Sequence, residues 1–195
     1  MSVVPSDLSE LPPPSMPRRR QLLFGTAFVA GACAMFILTL LGLYLQARSG
    51  HRAQWLKNNT IQLTQPNVIL FTLLMSSVTA QWATYSIARD DRPNTYLASG
   101  MTMMFGLAAI VQTWFLFDLA GISVKQLEGG VFYALTGAHL AMLIGALAFF
   151  ALMTLRAFGG SFSSRYPEGF SAATLFWHCT VALYTVVWLA VYIMK

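Results

Sequence analysis

The sequence predicts an all-α fold, an integral membrane bundle of five transmembrane helices. Three observations carry this. Of 195 residues, 56% are hydrophobic and only 10% are charged, whereas a soluble domain carries roughly a quarter charged residues. The mean hydropathy is +0.60, which makes lipid the natural solvent for most of the chain. The apolar residues are also gathered into five runs, each close to the roughly 20 residues that a helix needs to cross about 30 Å of hydrocarbon.

Residues 1–21 are polar and proline-rich, with Pro12, Pro13 and Pro14 in a row. Such a composition cannot bury a core, and it reads as a disordered tail. Arg18, Arg19 and Arg20 lie at its end, and the string RRRQLLFG has the look of a twin-arginine export signal. The apolar run behind it is too long for a signal peptide and is read as a first membrane helix, over about 22–46. The link 47–67 is polar apart from Trp55, Leu56 and a few others, and suits the membrane interface. Its Asn58-Asn59-Thr60 matches a glycosylation sequon, a tripeptide common by chance.

The remaining runs predict helices over 68–88, 96–117, 131–157 and 170–194, within a transmembrane domain of 22–195. Arg89, Asp90, Asp91, Arg92, Pro93 and Asn94 form a polar turn between the second and third. Gly159, Gly160, Ser161, Ser163 and Ser164 open the link into the fifth. With the amino terminus inside, that side holds Arg18, Arg19, Arg20, Arg89, Arg92, Arg156 and Arg165. The far side holds Arg48, Arg52, Lys57, Lys125 and Lys195. The bias predicts a cytoplasmic amino terminus and an outside carboxyl terminus.

The net charge of +5 sits in short clusters beside apolar runs. That is membrane-flanking charge, and it excludes nucleic acid as a partner. All seven acids lie outside the hydrocarbon or at its edge, and no Lys or Arg sits mid-helix. Ions within the membrane mark pumps, proton relays and voltage sensors, so those classes are disfavoured. The buried polar set is mild: Ser76, Ser77, Thr79, Gln81, Gln112, Thr136, His139, His178 and Thr180. Such groups ordinarily hydrogen-bond between helices. Small residues recur at helical spacing at Gly137, Ala141 and Gly145, at Ala27 and Gly31, and at Ser76 and Ala80. Each stripe predicts a place where another helix approaches closely. Cys33 and Cys179 lie within apolar runs and read as packing residues rather than a disulfide or metal pair.

Two histidines could ligate a haem within the membrane. His139 lies about eight residues into the fourth run and His178 about eight into the fifth, roughly 12 Å from opposite faces at 1.5 Å per residue. Two imidazoles at different depths match one haem poorly. A membrane b-type cytochrome with His139 and His178 as ligands is the alternative reading.

Some stretches are more specific than their composition. GGVFYALTGAH, residues 129–139, resembles the FY-x-x-TG-x-H signature of the haem-copper (cytochrome c) oxidase subunit III family. FWH, residues 176–178 and including Trp177, resembles the YWH that opens that family's last helix. TLLMSSVTAQWA, residues 72–83, is similar to its T-x-L-x-x-SS-x-T stretch, and Gln112 matches a glutamine of the next helix. The resemblance runs through all five helices and is to the short, five-helix bacterial form. It departs at four positions where the family commonly has ionisable groups and this chain has Cys33, Phe115, Met142 and Val181. Loss of all four predicts a divergent member in which packing has replaced a polar network.

The resemblance implies a non-catalytic structural and lipid-binding subunit of a respiratory terminal oxidase in a bacterial inner membrane. Its partners would be subunits I and II and phospholipid. Haem and copper would reside in those partners, with no cofactor or catalytic residue here. Related proteins also accompany nitric oxide reductases, a further alternative. Helix packing or a lipid cleft would then be the task of Ser76, Ser77, Gln112, Gly137, His139, Ala141, Gly145, Trp177 and His178.

Overall fold

The structure is a computed structural model that describes residues 21–51, 55, 61–160 and 168–194. The described residues form five long helices: α1 (Gln21–Gly50), α2 (Thr64–Ile87), α3 (Arg92–Ala120), α4 (Leu127–Phe158) and α5 (Glu168–Trp188). A π-helical turn, Leu189–Ile193, extends α5. All five are long and apolar enough to cross a membrane, and the chain is a multi-pass membrane protein. The tail to Arg20, the sequon, Ser161, Ser163, Ser164, Arg52, Lys57, Arg165 and Lys195 lie outside the described residues.

All five helices begin before their apolar runs, and α1, α3 and α4 also end beyond them. Gln21, assigned above to the tail, opens α1, and α2 starts at Thr64 rather than 68. The runs mark hydrocarbon, whereas a helix continues through the headgroup layer, where polar side chains are solvated. The polar turn between α2 and α3 is shorter than its composition predicts. Asp90 adopts a left-handed φ of 58°, and Asp91 then caps α3 by accepting from the Asn94 N–H at 3.3 Å. Pro93 sits in the first helical turn, where a missing N–H costs nothing. Gly121, with φ 55°, ends α3 in the left-handed conformation that favours glycine.

Helices α2, α3, α4 and α5 close a cycle: α2 packs on α3 and α5, and α4 packs on α3 and α5. The first helix lies outside this cycle, against α4 and α5. Half of the most apolar window of α5 is buried, against 22% of that of α1, so α5 is the axis of the bundle. Phe28, Phe71, Met104, Val111 and Trp114 point outward, each more than half exposed. An apolar exterior of this kind is what a bilayer solvates.

Candidate functional site

Four of the nine polar side chains predicted to hold the helices, Ser76, Ser77, Gln81 and His178, meet along one seam, where α2 runs antiparallel to α5; the hydroxyls of Thr136 and Thr180 instead donate to carbonyls of their own helices. From one end to the other, Thr84 faces Thr174 (Oγ1–Oγ1 2.7 Å), and His178 reaches Gln81 and Ser77. Trp177 donates from Nε1 to Ser76 Oγ at 3.0 Å. Tyr184 donates to the Pro66 carbonyl at 3.2 Å, and Trp188 Nε1 donates to Asn67 Oδ1 at 2.8 Å. Pro66 lies in the first turn of α2, where its carbonyl faces the helix interior, and the second lone pair of that oxygen takes the Tyr184 hydroxyl.

His178 uses both ring nitrogens in this seam. Its Nε2 lies 3.1 Å from Gln81 Oε1, a carbonyl oxygen that only accepts, so Nε2 carries the proton. Its Nδ1 then accepts from the Ser77 hydroxyl at 2.5 Å. His139, 4% exposed, faces a different seam: its Nε2 donates to the Thr180 carbonyl of α5 at 3.0 Å, and its ring lies 5.1 Å from that of Tyr184. The two histidines are thus on separate helix pairs, one between α2 and α5 and the other between α4 and α5.

Ser76 and Trp177 are both fully buried. Ser76 passes the bond on by donating to the Leu73 carbonyl at 2.6 Å. The indole of Trp177 lies across Gly106 of α3. A Cβ on Gly106 would come within 2.6 Å of Trp177 Cη2 and 2.9 Å of Leu147 Cδ1. Glycine is required here by a close approach, and the sequence reading missed it. The signal was present as Ser99, Thr102, Gly106 and Ala109, a row of small residues that is wholly buried. Between α2 and α3, Thr79 and Thr102 hydroxyls lie 2.8 Å apart, and Thr72 Oγ1 lies 3.3 Å from Gln112 Oε1.

The stripe Gly137, Ala141 and Gly145 does not make the close helix contact predicted for it. A Cβ at Gly137 or Gly145 would meet nothing within 4 Å, and Ala141 and Gly145 are exposed. Ala27 and Gly31 of α1 are exposed as well. Spacing shows that small residues share a face, but not which face is turned inward. The Ser76 and Ala80 pair, by contrast, is fully buried.

Of the four positions where an ionisable group was expected, Met142 and Val181 are buried at 7% and 4% exposure. Cys33 is half-buried and Phe115 is exposed. Among the described residues, no three His, Cys, Asp or Glu side chains gather to hold a metal ion.

Comparison with known proteins gives this bundle its relatives. Residues 28–195 match the family described as cytochrome c oxidase subunit III. The chain belongs to that family. Over 123 residues, 62% of the chain, it is 37% identical to cytochrome c oxidase subunit 3 of Pisaster ochraceus. The same-named proteins of Pelomedusa subrufa and Paracentrotus lividus are 30% and 31% identical over 122 residues. The matched segment covers a little under half of each relative, 45% or 46% of its length. The polar seam and the buried Trp177 therefore belong to a subunit III bundle.

Proposed function

We propose that this chain is the non-catalytic subunit III of a respiratory haem-copper terminal oxidase. It packs against subunits I and II, binds phospholipid, and supports oxygen reduction and proton uptake by the catalytic subunit. The observation that carries this reading is how the polar groups of the membrane segment are used. Both nitrogens of His178, Nε2 of His139 and the indole N–H of Trp177 are engaged with neighbouring helices. Their work is to align helices, each bond contributing about 0.6–2 kcal/mol. Haem ligation by His178 would require surrendering its bond to Ser77 or to Gln81.

The test is purification of the tagged full chain from mild detergent, with identification of what accompanies it. Haem-bearing oxidase subunits at constant stoichiometry are the expected result. Recovery of the chain alone, or with nitric oxide reductase subunits, would overturn the assignment. We place the protein in a bacterial inner membrane with Met1 cytoplasmic and Lys195 outside, supported by the arginine bias and an odd number of helices. Cysteine substitution at Ser2 or at Lys195, in a variant carrying Cys33→Ser and Cys179→Ser, should give labelling from opposite faces of intact cells. Labelling of both from one face would contradict the topology.

A further inference from the structure

The two cysteines are 146 residues apart in the sequence, yet the packing of α1 on α5 brings them to one level. Three contacts set the register of this parallel pair. At one end, Glu168 Oε1 accepts from the backbone N–H groups of Leu22 and Leu23, at 3.1 and 3.3 Å, with separations of 146 and 145. In the middle, the Cys179 thiol lies 3.9 Å from the Ala30 carbonyl, a separation of 149. At the other end, Arg48 Nη1 lies 3.5 Å from the Ala190 carbonyl, a separation of 142. Cys33 and Cys179, at 146, fall within that register.

They also face each other's helix. The buried side of α1 runs through Thr26, Ala30, Ile37, Leu41 and Tyr44. Cys33 lies on that side between Ala30 and Ile37, packed against the core. The sulfur of Cys179 rests on the turn of α1 that begins at Ala30, three residues before Cys33. The two thiols are within electrostatic reach of one another. Both are free and half-buried, so a lipophilic reagent has access from the bilayer.

We propose that Cys33 and Cys179 form a convertible dithiol whose oxidation to a disulfide staples the first helix to the last. In that step two S–H bonds break and one S–S bond forms. Two protons leave to water, and two electrons pass to a lipophilic acceptor of the quinone class. Disulfide geometry requires Cα atoms about 4.4–6.8 Å apart, a spacing that closely packed parallel helices reach where small side chains meet. The thiol pair is the resting form, and the disulfide is the oxidised form of the same site.

The experiment uses native membranes holding the full chain. These are oxidised with copper(II) phenanthroline, two Cu(II) taking the two electrons, and then quenched and denatured. Free thiols are counted by a mass-tagging maleimide, and the intact chain is weighed. The wild type should lose both tags together, show a monomer lighter by two hydrogens, and regain both tags on reduction. Cys33→Ser and Cys179→Ser should each keep one reactive thiol. Two taggable thiols remaining in the oxidised wild type would overturn the proposal. Disulfide-linked dimers in place of the internal link would also overturn it.

Discussion

The seam between α2 and α5 and the outer stripe of α4 are built from similar small and polar residues, yet they end in opposite surroundings. At the seam, Ser76, Ala80 and Ala83 are fully buried, and the indole of Trp177 fills the space opposite. On α4, Gly137, Ala141 and Gly145 meet no helix of this chain. Within a bilayer there is no hydrophobic force between helices, because lipid tails are as apolar as leucine. Close packing therefore arises where a large side chain and a hydrogen bond anchor the contact. Small residues alone leave a smooth face for lipid or another subunit.

This contrast can be strained at several points, with effects of decreasing size. Val181→Glu places an unpaired acid at a site 4% exposed, beside the Thr180 carbonyl that accepts the hydrogen bond of the His139 N–H. On the insertion scale this costs about 2.5–3.5 kcal/mol, and recovery of intact complex from membranes should fall sharply. Equal recovery would mean that a polar pocket persists around His139. Gly106→Val drives a side chain into Trp177 and Leu147, and should cost about 1–3 kcal/mol by overpacking. The check is the melting temperature of the purified protein in detergent; an unchanged value would contradict the close approach of the Trp177 indole to Gly106.

His178→Phe removes the bonds to Ser77 and Gln81 while keeping much of the ring volume. A loss of about 0.6–1.7 kcal/mol is expected in the same melting assay. The smallest effect belongs to Ala141→Leu. With no helix of this chain opposite, the isolated chain should melt within about 0.5 kcal/mol of wild type, as surface substitutions do. If the stripe instead receives a partner subunit, the variant will lower recovery of the complex without moving the melting point of the free chain. A large drop in the free chain would place a helix of this chain against the stripe.

Hydropathy made the five spans legible, because a bilayer demands length and apolarity whatever the packing. The polar partners were legible as types: a serine, a glutamine and a histidine inside the membrane must bond to something. Their pairing was not, since Ser77 and His178 are 101 positions apart and only helix order brings them together. Gly106 looked like any other small residue until Trp177 was seen lying on it. The stripe on α4 read as a contact because spacing defines a face without stating what that face meets. Met142 and Val181 were expected to be packed or lipid-facing, and the fold buries both, while Phe115 is exposed. A hydrophobic side chain satisfies either setting, so the letters alone could not separate them.

The central claim is that the polar groups of the membrane segment hold helices together and that His139 and His178 ligate no haem. The most direct measurement is the visible absorption spectrum of the tagged full chain, stripped of accompanying subunits in a stronger detergent. The account predicts no Soret band in proportion to the chain, in either the oxidised or the reduced sample. A stoichiometric Soret band that disappears in both His139→Ala and His178→Ala would contradict it and establish a haem-binding cytochrome instead.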